Sequence, residues 1–143
     1  MEYKINSCNY DIKEFIKKII NEYSIDYWDE WLKEQDYGIL MIKPNILVCV
    51  EESNKLIGIC AVKELNKDVC IMNTFYVDKD YRKKGIGSKL FDMCEEYAKK
   101  YKRINLCVDP NFKEAIKFYE NRGYIFDYSD LDRNEIYYYK EVL

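Results

Sequence analysis

The sequence predicts an α/β domain in which helices flank a mixed, mostly antiparallel central sheet. Segments with apolar residues at helical spacing alternate with short β-branched runs that end at polar turns. Their order is β-α-α-β-β-β-α-β-α-β-β, without repeats or low-complexity segments. Three successive strands joined by tight turns predict that the first half of the sheet is antiparallel.

The length of 143 residues fits one domain, so we expect residues 1–143 to form a single unit. Hydrophobic residues make up 48% of the chain and charged residues 34%, a balance typical of a packed core rather than of disorder. With only two Pro and five Gly, the chain offers little sequence suited to a flexible linker.

Apolar periodicity and turn residues set the expected bounds of the elements. The first half is predicted to contain a strand at Glu2–Asn6, a helix at Tyr10–Tyr23, a short helix at Tyr27–Gln35 capped by Asp26, and strands at Ile46–Glu51, Lys55–Glu64 and Val69–Val77, with turns at Ser53-Asn54 and Asn66-Lys67. The second half is predicted to contain a long helix with an apolar face from Ile86 to Ala98, a buried strand at Ile104–Val108, a helix from Phe112 that stops before Gly123, and strands at Tyr124–Tyr128 and Glu135–Lys140.

Charge and apolar content argue against several classes of protein. A net charge of −3 disfavours a general nucleic-acid binder, which is usually basic. No stretch approaches the roughly 18 apolar residues of a membrane span, and Met1 is followed by charged residues rather than by a secretory signal. We therefore expect a cytoplasmic protein without nucleic-acid or membrane partners.

The cysteines and the missing histidine limit the chemistry further. None of the six cysteines belongs to a Cys-x-x-Cys pair, which disfavours a zinc site, and we expect reduced, buried thiols. The absence of histidine removes every Ser-His or Cys-His nucleophile system and the commonest general base. Catalysis would have to use other side chains, backbone amides or ordered water.

The most informative segment is a strand that leads into a basic, glycine-bearing loop and then a helix. The loop reads Arg82-Lys83-Lys84-Gly85-Ile86-Gly87-Ser88. Free amides at a helix start bind phosphate, and glycines let the backbone approach a ligand closely. The loop therefore suits a diphosphate, although a solvated basic turn would show the same residues.

Two better-known phosphate loops are excluded. The dinucleotide fingerprint needs a third glycine three residues after Gly87, where Leu90 stands. A nucleotide P-loop needs Gly-Lys-Ser/Thr, whereas the sequence here is Gly87-Ser88-Lys89.

The stretch from Phe75 to Leu90, FYVDKDYRKKGIGSKL, resembles the cofactor segment of the GNAT acetyltransferase family along its whole length. In that family the end of the strand contacts the pantetheine arm and acetyl group through its backbone, and the loop binds the pyrophosphate. The resemblance implies a GNAT-like fold and acetyl-CoA as co-substrate, without a metal. The implied cofactor-binding residues are Phe75, Tyr76, Val77, Arg82, Lys83, Lys84, Gly85, Ile86, Gly87, Ser88 and Asn111.

A second block of the chain also resembles the family. It comprises the strand Ile104–Val108, then Asn111, Ala115, Phe118-Tyr119 and Gly123-Tyr124. By resemblance, Asn111 would bind the pantetheine region, and Tyr119 would be the general acid that protonates the CoA thiolate. Spacing alone also allows Tyr119 to be a core residue and Asn111 to be a helix-start residue.

The implied reaction is direct transfer of acetyl from CoA to an amine, with a backbone N–H near Val77 as donor to the carbonyl oxygen. The amine must first lose a proton. The strand Val69–Val77 contains no carboxylate that could accept it. Glu64, or a water held by Asn73 or Thr74, is left as the candidate base.

The acceptor is expected to be a small-molecule amine or a peptide amine. The segment Asp26–Asp36 is rich in acidic and aromatic residues, which suit an amine cation, although an ordinary amphipathic helix with an acidic face fits equally. A homodimer is among the expected assemblies. The alternative functions are a CoA-binding module without catalysis, and an interaction domain whose basic loop is only surface.

Overall fold

The computed structural model describes residues 1–22 and 44–142. The described elements are β1 (Glu2–Ile5), α1 (Ile12–Glu22), β2 (Ile46–Glu52), β3 (Lys55–Glu64), β4 (Val69–Val77), α2 (Ile86–Ala98), β5 (Arg103–Val108), α3 (Lys113–Asn121), β6 (Ile125–Asp130) and β7 (Glu135–Glu141). They match the predicted elements to within a few residues. The predicted helix at Tyr27–Gln35 and its Asp26 cap lie outside the described residues.

The strands of this part of the chain form one sheet in the order β1-β2-β3-β4-β5-β7-β6. Neighbouring strands are antiparallel except for β4 and β5, which are parallel and are joined through α2. The predicted mixed, mostly antiparallel sheet is therefore confirmed. The β2–β3 turn is tight because Ser53 and Asn54 both adopt positive φ, 52° and 61°, which matches the twist of a hairpin.

Helices cover the two faces of the sheet. On one face, α1 packs Phe15, Ile16 and Ile19 against apolar residues of β2 and β3. On the other face, α2 buries Leu90 and Phe91 in the larger core cluster, to which α3 adds Tyr119. Since both faces are covered, β2 and β3 are apolar along most of their length, as expected for interior strands.

The helix α2 approaches the sheet closely at Gly58. A Cβ atom at this position would lie 2.9 Å from Leu90 Cδ1 and 3.2 Å from the carbonyl oxygen of Tyr76. Only glycine allows this contact without a shift, so the small residue on β3 allows α2 to pack closely against β3.

The strands β4 and β5 separate before they end. Their parallel pairing runs from Val69 opposite Arg103 to Met72 opposite Leu106 and then stops, although β4 continues to Val77. The register of β3 against β4 shifts next to this point, and Thr74 adopts φ 56°. This irregularity, typical of a β-bulge, redirects the end of β4 and opens a slot beside it.

A partly buried ion pair ties α1 to the end of β4. The Asp78 side chain is fully buried, and its Oδ2 lies 2.5 Å from Lys18 Nζ. Its Oδ1 accepts a hydrogen bond from the backbone N–H of Asp80 at 3.0 Å. Burial by itself raises the pKa of Asp78, but the bonds from Lys18 and Asp80 outweigh burial and hold it below its usual range.

We predict that Asp78→Asn lowers the free energy of unfolding at pH 7 by about 1–3 kcal/mol, because it removes a charged acceptor from two partly buried hydrogen bonds. A carboxylate whose folded pKa is depressed stabilises the fold above its unfolded pKa, near 3.9, and this stabilisation is lost as the pH falls through the folded value. The difference between the proteins should therefore shrink below about pH 4. Urea denaturation at pH 7 and at pH 3 measures this difference in the free energy of unfolding. Asp80→Asn, at an exposed side chain, is the control. An Asp78→Asn variant as stable as the parent at pH 7 would contradict the prediction.

Candidate functional site

A cleft of about 380 Å³ lies where β4 and β5 separate. Its walls come from the ends of these two strands, the basic loop and the first turns of α3, with α1 at one side. The lining residues are Ile19, Met72, Thr74, Phe75, Tyr76, Val77, Arg82, Lys83, Gly85, Gly87, Ser88, Cys107, Val108, Asp109, Phe112, Glu114, Ala115, Phe118 and Tyr119. The cleft therefore joins an apolar slot to a basic loop.

Most residues named from the sequence reach this cleft. Those that line it are Phe75, Tyr76, Val77, Arg82, Lys83, Gly85, Gly87, Ser88 and Tyr119. Three others do not line it. Ile86 turns its side chain into the core and brings only its backbone to the helix start, and Lys84 is exposed with its Nζ 5.5 Å from the centre of the Tyr81 ring. The third is Asn111.

The basic loop presents backbone amides at the cleft. Lys83 and Gly85 adopt left-handed conformations, with φ 62° and 81°, so successive N–H groups turn toward one side. The first helical bond runs from the N–H of Lys89 to the oxygen of Gly85 at 3.1 Å. Within residues 44–142, no side chain caps the helix at Gly85. The amides of the first turn are therefore available to an anion.

Arg82 fastens the loop to the end of β4. Its Nε donates a hydrogen bond to the carbonyl oxygen of Val77 at 2.9 Å. The backbone N–H of Asp78, the residue after Val77, donates a hydrogen bond to the carbonyl oxygen of Ile57 on β3 at 2.8 Å. Because backbone groups alternate sides along a strand, the N–H of Val77 points away from β3, toward the slot.

Gly87 stands where a side chain would meet the wall of the slot. A Cβ atom there would lie 3.1 Å from Phe75 Cζ and 3.7 Å from Val77 Cγ2. Phe75 is held in turn by Phe91 and Phe118, with ring centres 5.2 Å and 5.3 Å away. A larger residue at position 87 would therefore have to displace a packed aromatic ring or enter the cleft.

Tyr119 lines the cleft from α3 and also belongs to the core. Its side chain is 7% exposed, and the centres of the Phe91 and Phe118 rings lie 5.7 Å and 5.8 Å from its own. Burial raises the pKa of Tyr119 well above the ordinary value of a phenol. Tyr119 is therefore a core residue that also reaches the cleft, and its hydroxyl keeps its proton throughout the neutral pH range. Its role as general acid stays a prediction.

Asn111 differs from its predicted placement. The residue is exposed, and its backbone N–H donates to Asp109 Oδ1 at 2.7 Å. Asp109 and Phe112, its neighbours, line the cleft instead. The Asp109-Pro110 turn before α3 directs these side chains inward, which the motif spacing did not reveal.

Glu64 is removed as a candidate base. It pairs with Cys70 at the start of β4, whereas the cleft lies at the other end, near Val77. Seven strand residues separate the two ends, about 23 Å at 3.3 Å per residue. Glu64 Oε1 accepts a hydrogen bond from the Tyr101 hydroxyl at 2.9 Å. Thr74, the other named position with a described side chain, does line the cleft.

The sequence analysis missed the polar residues that β5 and α3 bring to the cleft. Asp109 is 8% exposed, and its Oδ2 lies 3.5 Å from Asn134 Nδ2. Glu114 contributes a second carboxylate from the first turn of α3. Cys107 adds a thiol whose pKa burial raises to about 12, so that it stays protonated at neutral pH. These residues lack a motif, and only the convergence of two elements places them together.

The described helices include none long and apolar enough to cross a membrane. The location of the protein in the cell stays a prediction.

Solved structures share this fold. The chain aligns with an N-acetyltransferase, PaiA, of Thermoplasma acidophilum in complex with coenzyme A, with a TM-score of 0.74, 18% identity and 99% of each chain covered. It also aligns with a Bacillus anthracis protein described as a streptothricin acetyltransferase, in complex with acetyl coenzyme A. That match has a TM-score of 0.59 and 26% identity over 68% of this chain and 62% of the other.

Sequence comparisons agree with the fold. An uncharacterized N-acetyltransferase of Methanocaldococcus jannaschii is 31% identical in an alignment of 106 positions that covers 68% of this chain and 44% of that protein. The chain thus matches less than half the length of this curated relative. The sequence model of the acetyltransferase (GNAT) family matches residues 10–124. The chain therefore belongs to the acetyltransferase (GNAT) family.

Proposed function

We propose that residues 1–143 act as one domain that transfers an acetyl group from acetyl-CoA to a primary amine. The observation on which this rests is the loop of helix-start amides that opens onto the slot between β4 and β5. An anion site joined to an apolar channel suits a cofactor with a diphosphate and a long, uncharged arm. Related folds that contain coenzyme A or acetyl coenzyme A support this choice.

In the proposed complex, the pyrophosphate of the cofactor accepts hydrogen bonds from the amides of Gly85 to Ser88, and Arg82 and Lys83 contribute positive charge. The pantetheine arm lies in the slot beside Phe75 and Tyr76 and forms strand-like hydrogen bonds to the side of β4 that faces away from β3. Its acetyl carbonyl then reaches the N–H of Val77, which points toward the slot. That donor stabilises the negative charge that develops on the oxygen during attack.

Tyr119 is the proposed general acid. Its raised pKa keeps the phenol protonated, so it donates a hydrogen bond to the sulfur as the carbon–sulfur bond breaks. A phenol above pKa 10 is a weaker acid than a thiol near 8.5, so complete proton transfer from Tyr119 alone is uphill. The proton lost by the attacking amine replaces the one that Tyr119 gives, and the products are the amide and neutral CoA.

The cleft also suits a cationic acceptor. Asp109 and Glu114 are carboxylates of its lining and attract an ammonium group. The amine must lose one proton before attack, and a water beside Thr74 is the proposed route, since Glu64 lies at the far end of the sheet. Small amines, aminoglycosides, amino acids and protein N-termini all present the required group.

A CoA-binding module without catalysis is the second candidate, because β4 carries no carboxylate to act as a base. A panel of amines incubated with acetyl-CoA and read by mass spectrometry separates the two. Under the proposed function at least one amine gains an acetyl group in proportion to enzyme. Saturable binding of acetyl-CoA without any acetylated product would select the binding module, and absence of binding would refute both.

We predict that Tyr119→Phe lowers kcat by about 10²-fold, because the leaving thiolate loses its donor. Affinity for acetyl-CoA should stay within a few-fold of the parent. The high pKa of Tyr119 also predicts no fall of kcat between pH 7 and about 10 in the parent protein. Tyr124→Phe is the matched control, since Tyr124 is a buried tyrosine of the same aromatic cluster that bonds Glu95 at 3.1 Å. Parental turnover in Tyr119→Phe would remove this residue as the acid.

We predict that Gly87→Leu abolishes acetyl-CoA binding in calorimetry, because the new side chain must occupy the slot or displace Phe75. Gly123→Asn is the control: it also replaces a glycine, at φ 90° after α3, where asparagine is tolerated and where the cleft is not reached. Thermal melts confirm that both variants fold. Unchanged binding in Gly87→Leu would refute the pyrophosphate loop.

A further inference from the structure

A cluster of thiol and charged groups lies between α1 and the sheet, away from the residues that line the cleft. The sulfur atoms of Cys8 and Cys49 and a carboxylate oxygen of Glu51 all lie within 4.8 Å of one another. Lys4 completes the cluster, with its Nζ 3.1 Å from Glu51 Oε1. The sequence predicted reduced, buried cysteines, and the spacing of Cys8 and Cys49 gave no sign of this pair.

The backbone explains why these residues meet. Cys49 and Glu51 are two apart on β2 and share a face, and Lys4 on β1 pairs directly with Cys49. After β1 the chain turns at Asn6, whose φ is 56° and whose N–H donates to the oxygen of Leu47 at 2.8 Å. This turn brings Cys8 over the same face, ahead of α1.

We propose that Cys8 and Cys49 form a redox-active dithiol that closes to a disulfide when the protein meets a low-molecular-weight disulfide such as oxidised glutathione. The pair would tie the segment entering α1 to β2. Because α1 brings Ile19 to the cleft and Lys18 to Asp78, the bond would brace the helix that supports the cofactor loop.

The two thiols have different environments, which suits attacking and resolving roles. Cys8 is half-buried, whereas Cys49 is 1% exposed. A hydrogen bond from the Cys49 thiol stabilises the Cys8 thiolate and lowers the pKa of Cys8 to about 7. The same bond, together with burial, raises the pKa of Cys49. Cys8 therefore offers an accessible thiolate beside a second thiol, the arrangement found in redox-sensitive pairs.

Three of the other thiols are poorer nucleophiles than Cys8. Burial raises the pKa of Cys60, and it raises those of Cys70 and Cys107 to about 12. The thiolate form is the reactive one, so at neutral pH these residues react far more slowly than Cys8.

The reaction proceeds in two exchanges. The Cys8 thiolate attacks glutathione disulfide, a sulfur–sulfur bond to Cys8 forms, and one glutathione thiolate leaves. The Cys49 thiol then gives its proton to Glu51, whose Oε1 lies 3.8 Å from Cys49 Sγ. Cys49 attacks the Cys8 sulfur and releases the second glutathione thiolate, which takes the proton. The protein dithiol loses two electrons, and the oxidant becomes two thiols.

The test is a thiol map of the full chain after incubation, under native conditions, with excess oxidised glutathione. Free thiols are alkylated at acid quench, and peptides are analysed by mass spectrometry without reduction. We expect one linked peptide that joins Cys8 to Cys49, with the other four of the six cysteines alkylated. Alkylation of all six, or a link between other cysteines, overturns the proposal.

Variants separate the two roles without any measurement of activity. In Cys49→Ala, glutathione should stay attached to Cys8, with about tenfold or greater preference over Cys107, the other half-buried cysteine. In Cys8→Ser, which alters a half-buried side chain, neither the adduct nor the link should form. Glu51→Gln should slow closure of the mixed disulfide by about 10²-fold. Equal adducts at Cys8 and Cys107 contradict the proposal, as does a parent protein in which bound Zn²⁺ protects both thiols.

Discussion

The early end of the pairing between β4 and β5 is the constraint on which the site depends. Beyond Met72 and Leu106 the two strands are not paired, so the last residues of β4 have no neighbouring strand on the β5 side. In a closed sheet a strand would occupy that side. Here it borders a slot that a ligand with amide groups can fill in the manner of a strand. The bulge at Thr74 and the close approach at Gly58 maintain this geometry from the other side.

An ion pair, a hydrogen bond and aromatic packing position the loop beside that slot. Asp78 joins α1 to the end of β4, and Arg82 bonds back to Val77, so the start of the loop is held against the strand. The aromatic cluster around Phe91 then connects the wall of the slot to Tyr119. These contacts link the proposed anion site to the proposed acid, and such positioning is what catalysis by proximity requires.

Much of this architecture could be predicted from local patterns. The period of apolar residues located α1, α2 and α3, and the Ser53-Asn54 pair indicated a hairpin because both residues accept positive φ. Positions across the sheet could not be predicted in the same way. Glu64 precedes β4 in the sequence, but it sits at the end of β3 that is away from the cleft. Asn111 matched a motif and is exposed beside the Asp109-Pro110 turn, so its contact with a cofactor stays a prediction.

The sequence by itself determined the order of elements, the strand–loop–helix that offers amides to a phosphate, and membership of a family recognisable from two blocks of residues. These features are local, since propensity and turn chemistry act between near neighbours. The tertiary structure alone decided which side chains line the cleft, that Asp109 and Glu114 reach it whereas Glu64 does not, and that Cys8 meets Cys49. Such contacts join residues far apart in the chain, and they depend on strand register and helix packing.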